Sequence, residues 1–176
     1  MRCLLRCLVL IVGSSVLSAC APETTTSTVT PIELPSIGDR LSDAAQAVLR
    51  APDVFEVLSI DPMSGWEDPA EDAALFHDYV ELGRAAVDDA ALQRQVVALL
   101  YKGIRENDEM VAACFNPRHG VHAVKGETTV DLVICYECLQ IYVFVDDGER
   151  ASCLTGESVE PALSRIWRDI GLTIAK

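Results

Sequence analysis

The stretch that decides the fold is residues 121–145, which read VHAVKGETTVDLVICYECLQIYVFV. Three runs rich in β-branched and aromatic residues lie within it, at residues 121–125, 129–136 and 139–145. Such residues favour strands, and short breaks with turn-forming residues between such runs predict hairpins. We therefore predict a meander of antiparallel strands in this part of the chain.

Apolar residues at helical spacing occur on both sides of the meander. Asp at a helix start, Pro at either end and Gly after the last turn mark the boundaries of these segments. Three helices are predicted on this basis, between Asp39 and Pro52, between Asp88 and Asn107, and between Pro161 and Gly171.

The first half of the chain adds strands. Residues 54–60, VFEVLSI, predict a buried strand. Residues 73–83 fit a helix or a strand, and we predict a strand because apolar residues alternate there with Asp78 and Glu81. The predicted fold is α+β, a single globular domain over residues 37–176, with an antiparallel sheet of about five strands and two or three helices on one face.

The N-terminus has the features of a bacterial lipoprotein signal in order. Arg2 and Arg6 supply positive charge, residues 8–17 are apolar, and Leu17-Ser18-Ala19-Cys20 resembles the lipobox of bacterial lipoproteins. The apolar run is too short to cross a bilayer, which takes roughly 20 residues. The resemblance implies a signal peptide over residues 1–19 and a diacylglyceryl group on Cys20. The alternative is an ordinary secretory signal cleaved near Ala19, with Cys20 left as a thiol.

Residues 20–36 would then connect the lipid to the folded domain. This segment is rich in Thr and Pro, and it holds too few apolar residues to bury a core of its own. Extended, it would reach roughly 50 Å at about 3.3 Å per residue. The lipobox resemblance implies an extracytoplasmic protein held to the membrane through Cys20. Ala21, where the retention rule of the family has Asp, favours the outer membrane if the organism has two membranes.

The charge of the chain limits its partners. The first 19 residues hold two of the 14 Lys and Arg and none of the 27 Asp and Glu, so removing them changes the net charge from −13 to −15. Nucleic acids and anionic lipid surfaces are bound largely through Lys and Arg, so we predict neither as a partner surface.

Four cysteines remain for the folded domain, namely Cys114, Cys135, Cys138 and Cys153. An even number in an oxidising compartment predicts disulfides, with three possible connectivities. In an extended strand the Cα atoms of Cys135 and Cys138 would lie about 10 Å apart, beyond the roughly 7 Å that a disulfide spans. Unless a bulge or a turn intervenes, we expect these two to pair with Cys114 and Cys153.

The segment CYEC at residues 135–138 also has the Cys-x-x-Cys spacing of thiol oxidoreductases. Their attacking cysteine has its pKa lowered by a helix N-terminus or a nearby positive charge, whereas Glu137 is a negative neighbour. The residue pattern therefore argues against an enzyme of this class.

A zinc or copper site is a further alternative, because thiolates and imidazoles suit these metals. The candidate ligands are Cys114, His119, His122, Cys135 and Cys138. Their spacing matches no specific finger pattern, so no metal or other cofactor is predicted.

The sequence contains no Gly-rich phosphate loop, no nucleophile elbow and no His-Glu-x-x-His helix. Residues 61–72 are acidic but lack the regular ligand spacing of an EF-hand. No catalytic residue can be named from these patterns.

Residues 114–120, CFNPRHG, and residues 131–138, DLVICYEC, resemble a group of bacterial secreted proteins and lipoproteins of unknown function. The resemblance implies one domain of that type and transfers no catalytic residue. It marks three polar residues near the cysteines, whose expected structural roles are an ion pair for Arg118, a turn cap for His119 and solvent exposure for Glu137.

The leading hypothesis is a non-enzymatic, lipid-anchored envelope protein whose disulfide-stapled domain binds a protein or a small ligand. The alternative class is a thiol-redox or metal-handling protein that uses the group Cys114, His119, Cys135 and Cys138.

Overall fold

The computed structural model describes residue 34 and residues 36–65, 69–146 and 148–176. Its helices are α1 (Asp43–Arg50), α2 (Ala90–Glu106) and α3 (Glu160–Asp169), with short 3₁₀ turns at Gly38–Arg40, Pro62–Gly65 and Glu157–Val159. Its strands are β1 (Val54–Ile60), β2 (Leu75–Phe76), β3 (Tyr79–Ala86), β4 (His119–Lys125), β5 (Thr128–Cys135), β6 (Gln140–Val145) and β7 (Ala151–Leu154). The predicted signal peptide and Cys20 lie outside these residues.

The seven strands form one antiparallel, curled sheet in the order β2-β3-β1-β4-β5-β6-β7. The predicted α+β class is confirmed, and so is the strand assignment at residues 73–83, which form the β2–β3 hairpin. The sheet has more strands than the five expected because that segment supplies two and β7 supplies another. Residues 151–154, ASCL, contain no β-branched or aromatic residue, so their pattern carries no strand signal.

The three helices contribute to one buried core on one face of the sheet. Leu49 of α1, Leu100 of α2 and Trp167 of α3 belong to the same buried cluster as Val57 and Val121 from the sheet. Burying a side chain of this size stabilises a fold by about 1.5–3 kcal/mol. The indole Nε1 of Trp167 also donates to the carbonyl oxygen of Leu58 at 2.8 Å, which joins α3 to β1.

Two of the predicted helix caps are wrong. The cap of α1 is Ser42, whose Oγ accepts from the amide of Ala45, while Asp39 lies in the preceding 3₁₀ turn. The cap of α2 is Asp89, the residue after the predicted Asp88, and its carboxylate accepts from two amides of the first turn. Asp and Ser residues close to a helix start all carry a side-chain oxygen that can accept from the first free amides. Which of them becomes the cap depends on where packing makes the chain turn into the helix.

The opposite face of the central strands carries a smaller apolar cluster, because successive side chains of a strand point to opposite faces. We call this side of the sheet the open face. Its buried residues are Leu58, Ile60, Phe76 and Val133, and the partly buried aromatic residues against them are Tyr79, Phe115, Tyr142 and Phe144. Within the part of the chain that the structure describes, no helix has the length and apolar character needed to cross a membrane.

Candidate functional site

The hairpin between β5 and β6 brings two cysteines together. Strand β5 ends at Cys135, β6 begins at Gln140, and a four-residue turn lies between them, with Leu139 at φ 58°. Cys135 and Cys138 form a disulfide with their Cα atoms 5.3 Å apart. The expected pairing of both residues with Cys114 and Cys153 is therefore wrong, because the turn removes the extended geometry on which that expectation rested.

Cys114 lies beside this disulfide with a free, exposed thiol. Its Sγ is 3.6 Å from Sγ of Cys138, so the two sulfurs are in contact. We call Cys114, Cys135 and Cys138 the cysteine cluster. Because Cys135 and Cys138 are both completely buried, Cys114 is the member of the cluster that solvent reaches.

The loop that carries Cys114 is tied to the hairpin on both sides of it. The amide of Ala112 donates to the carbonyl oxygen of Cys138 at 3.1 Å. Two residues after Cys114, the amide of Asn116 lies 3.3 Å from Sγ of Cys135 and 3.3 Å from Sγ of Cys138. These contacts hold the thiol against the disulfide.

Sγ of Cys135 receives a second backbone donor. The amide of Cys138 donates to it at 3.1 Å, in addition to the amide of Asn116. Hydrogen bonds of this kind are stronger when the acceptor carries a charge, so the site favours negative charge on the sulfur of Cys135.

The charge of Glu137 is compensated. Its carboxylate lies 2.9 Å from Nη1 of Arg118, and the Glu137 side chain is 52% exposed. The roles expected for these two residues are confirmed, since Arg118 forms an ion pair and Glu137 faces solvent. The ion pair weakens the objection that Glu137 opposes a thiolate in this motif, because a guanidinium lies next to the carboxylate.

Cys153 lies away from the cluster. It pairs with Ile141 in the β6–β7 register and belongs to the core on the helix side of the sheet. Burial raises the pKa of its thiol to about 12, so it stays protonated and unreactive.

The five candidate metal ligands do not form one site: the three cysteines lie together in the cysteine cluster, but the two histidines do not point towards one common place. His119 and His122 are three residues apart in β4 and therefore point to opposite faces, while Cys135 and Cys138 are bonded to each other. Among the residues that the structure describes, no group of three or more His, Cys, Asp or Glu side chains could hold a metal ion.

His119 was expected to cap a turn, and this expectation is wrong because its side chain is buried in the core. Its Nε2 lies 2.9 Å from Oγ of Ser164, and its ring contacts Trp167 and Tyr136 edge-on. Burial, assisted by the charges of Arg118 and Arg168, lowers the pKa of His119 to about 4. The imidazole is therefore neutral and part of the core.

The open face contains a polar group that the sequence patterns did not reveal. Asp131 accepts from two imidazoles, at 3.0 Å from Nε2 of His77 and at 2.7 Å from Nδ1 of His122. The His77 ring stacks on Phe144 at 3.6 Å. His77 is 54 residues from Asp131, so no short motif could have indicated the contact.

Aromatic side chains border the cysteine cluster. Phe115, which follows Cys114, stacks on Tyr142 with ring centroids 3.6 Å apart, and the guanidinium of Arg150 lies 4.2 Å from the centre of the same Tyr142 ring. The residue that follows Cys114 is thus part of an aromatic surface, and the charge of Arg150 lies over the Tyr142 ring of that surface.

A scan against protein-family models and searches of curated proteins and of solved structures find no match to this chain.

Proposed function

We propose that this chain is a lipid-anchored, extracytoplasmic protein that exchanges disulfides with dithiols of partner molecules. The observation that carries the proposal is the exposed Cys114 thiol in contact with the buried Cys135–Cys138 disulfide. A disulfide that serves only as a staple has no use for a thiol held against it, since a neighbouring thiol opens a route for exchange.

The proposed location supports this chemistry. Residues 1–20 resemble a lipoprotein signal, which would hold the domain outside the cytoplasm through Cys20 and, with Ala21 next to it, favour the outer membrane of a two-membrane cell. Disulfides form and persist in such compartments.

The proposed reaction is a balanced exchange of two electrons. Two thiols of the partner become one disulfide, and the Cys135–Cys138 bond becomes two thiols. The partner is oxidised, the chain is reduced, and the two protons move from the partner's sulfurs to those of Cys135 and Cys138. The reverse reaction regenerates the disulfide from a partner disulfide.

The short loop between the bonded cysteines suits a cycle of this kind. The two residues are three apart in sequence, so the disulfide constrains little of the unfolded chain. The fold is held by the core of the curled sheet and its helices, which allows the oxidised and reduced forms to share one structure.

Ligand binding by a disulfide-stapled domain is the second candidate. It is favoured by the open face, where no helix of the described chain covers the partly buried Tyr79, Phe115, Tyr142 and Phe144. Concave or uncovered aromatic surfaces are common in sites for proteins and small molecules. The two functions are compatible, because the aromatic residues border the exposed thiol.

The proposal is tested with full-length protein in detergent and a synthetic peptide that carries two cysteines. We expect one peptide disulfide to form for each Cys135–Cys138 disulfide consumed, as measured by alkylation and peptide mass mapping. The variant with Cys135→Ala and Cys138→Ala should not oxidise the peptide, whereas Cys153→Ser should oxidise it as the parent does.

Persistence of the Cys135–Cys138 disulfide beside an excess of reduced peptide, in protein that remains folded, would reject the exchange function. In that case the disulfide is a staple, and the open face becomes the remaining candidate site.

A further inference from the structure

We infer that the cysteine cluster is a three-sulfur relay, in which Cys114 and Cys138 form an alternative disulfide and Cys135 is the thiolate released. The inference deepens the proposed exchange function and rests on it, since it names the internal route by which a buried disulfide becomes reachable.

The sulfurs of Cys114 and Cys138 are already in contact. Sγ of Cys114 lies 3.6 Å from Sγ of Cys138, which places Cys138 within reach of attack by Cys114. A disulfide bond measures about 2.05 Å, so the two sulfurs must approach by about 1.6 Å. Cys114 sits in a loop and not in a strand, so the approach does not require the sheet to move.

The sulfur that leaves in this exchange is Sγ of Cys135. When Cys114 attacks Cys138, electrons pass to Sγ of Cys135, and that sulfur faces the amides of Asn116 and Cys138 at 3.3 Å and 3.1 Å. Two backbone donors directed at a developing negative charge lower the energy of the reaction that forms it. The geometry therefore assigns the order of the exchange: Cys114 attacks, Cys138 is the central sulfur and Cys135 leaves.

The internal exchange is balanced without another reactant. The Cys135–Cys138 bond breaks, the Cys114–Cys138 bond forms, and the proton lost by Cys114 is taken up at Cys135. Cys114 is oxidised from a thiol to a disulfide sulfur and Cys135 is reduced from a disulfide sulfur to a thiol, so the chain as a whole gains and loses no electrons and the step is an isomerisation of one disulfide.

The internal exchange makes a bonded sulfur accessible to a partner thiol. In the resting form the bonded sulfurs belong to two completely buried residues, whereas the alternative disulfide includes the exposed Cys114. A partner thiol would attack Sγ of Cys114, form a mixed disulfide there and release Cys138 as a thiol. A second partner thiol would then release Cys114 and complete the exchange.

The first test removes the leaving sulfur. In full-length Cys135→Ser protein treated with oxidised glutathione, most molecules should acquire a Cys114–Cys138 disulfide, identified by mass mapping of alkylated peptides. The matched variant Cys138→Ser retains Cys114 and Cys135 and should form at least tenfold less of a disulfide between them. Equal cross-linking in the two variants, or none in Cys135→Ser, would overturn the relay.

The second test examines the amide of Asn116. Asn116→Pro removes the N–H group, whereas Asn116→Ala keeps it and loses the side chain alone. After acid quenching and alkylation, the fraction of molecules labelled at Cys135 in place of Cys114 should be about tenfold lower in Asn116→Pro than in Asn116→Ala, as for one lost charge-assisted hydrogen bond. Equal fractions in two folded variants would overturn the role of this amide. Should Asn116→Pro fail to fold, the first test decides the order of exchange by itself.

The relay and the exchange function can fail separately. If Cys114→Ser protein oxidises the two-cysteine peptide at the parent rate, the function stands and the relay is wrong. If the Cys114–Cys138 disulfide forms but the peptide is never oxidised by the parent protein, the relay stands and the proposed function is wrong.

Discussion

Nε2 of His119 lies 2.9 Å from Oγ of Ser164, and this buried contact joins strand β4 to helix α3. The pair occupies the part of the core where Trp167 reaches across to the carbonyl oxygen of Leu58. A titratable side chain therefore lies inside the contact between the helices and the sheet, and the stability of that contact depends on pH.

We expect stability to fall as the pH drops from 6.5 towards 4 because of His119. Its pKa is lowered from 6.5 to about 4 in the folded protein, so within this window the unfolded chain binds a proton that the folded chain does not. Above pH 6.5, His119 is neutral in both the folded and the unfolded chain, and its full contribution to stability is present. At about pH 4, the free energy of unfolding should be lower by about 3 kcal/mol.

Urea unfolding of the parent and of His119→Gln at several pH values measures this effect. The variant keeps a group that can hydrogen bond to Ser164, but it has no proton to bind, so its stability should fall less steeply between pH 6.5 and 4. Parallel curves for the two proteins would contradict the assignment.

Asp131→Asn should lower the free energy of unfolding by about 1–2 kcal/mol at pH 7, because it removes a carboxylate that accepts from two imidazoles. Burial acts to raise the pKa of Asp131, but the hydrogen bonds from His77 and His122 outweigh it and hold the pKa below its usual range. The contribution is therefore present above the unfolded pKa and is lost as the pH falls through the folded one.

The difference in stability between Asp131→Asn and the parent should shrink accordingly below about pH 4. Asp78→Asn, at an exposed position next to His77 in the β2–β3 hairpin, should stay within about 0.5 kcal/mol of the parent. A larger loss in Asp78→Asn than in Asp131→Asn would show that the hairpin, and not the imidazole contacts, accounts for the effect.

Reduction of the Cys135–Cys138 disulfide should leave the protein folded and cost about 2 kcal/mol, the value expected when a disulfide closes a loop of about four residues. The measurement is urea unfolding of Cys114→Ser protein with and without dithiothreitol, since this variant cannot exchange internally. Far-ultraviolet circular dichroism should be the same in both states before unfolding begins. Loss of the fold on reduction would contradict the idea that both redox forms share one structure.

Gly103→Ala should destabilise the protein by about 1–3 kcal/mol, although alanine usually stabilises a helix interior by about 1 kcal/mol relative to glycine. A Cβ atom at position 103 would lie 2.5 Å from Oγ1 of Thr155 and 3.0 Å from Cγ2 of Val159. The neighbouring exposed variant Lys102→Ala serves as the control and should change stability by no more than about 0.5 kcal/mol. Thermal and urea unfolding of both variants would show whether Gly103→Ala lowers the stability of the protein.

The strand expected at residues 54–60 is found with the same bounds, and the three expected within residues 121–145 are found with shifts of one or two residues, because their β-branched and aromatic content carries a local signal. The helix caps differ by one to three residues, since adjacent polar side chains compete for the same amides. Strand β7 had no local signal, and pairing with β6 is what makes it a strand.

In the candidate site, likewise, one feature could be predicted from the sequence and others depend on the tertiary structure. The Cys-x-x-Cys spacing was visible in the sequence, but the bond between Cys135 and Cys138 depends on a turn whose Leu139 adopts a positive φ. Cys114 lies 24 residues before Cys138, in the loop between α2 and β4, and amides of that loop hold it against the hairpin.

By itself, the sequence determined the α+β class, the strand meander and the acidic charge, because periodicity, residue type and composition are properties of short segments. Only the tertiary structure decided which cysteines are bonded, which sulfur is exposed, and that His77, His122 and Asp131 meet. The Cys135–Cys138 bond needs the turn that the β5–β6 pairing imposes, and the contacts of Cys114 with Cys138 and of His77 with Asp131 join residues far apart in the chain, so their distances depend on how the whole sheet curls and packs.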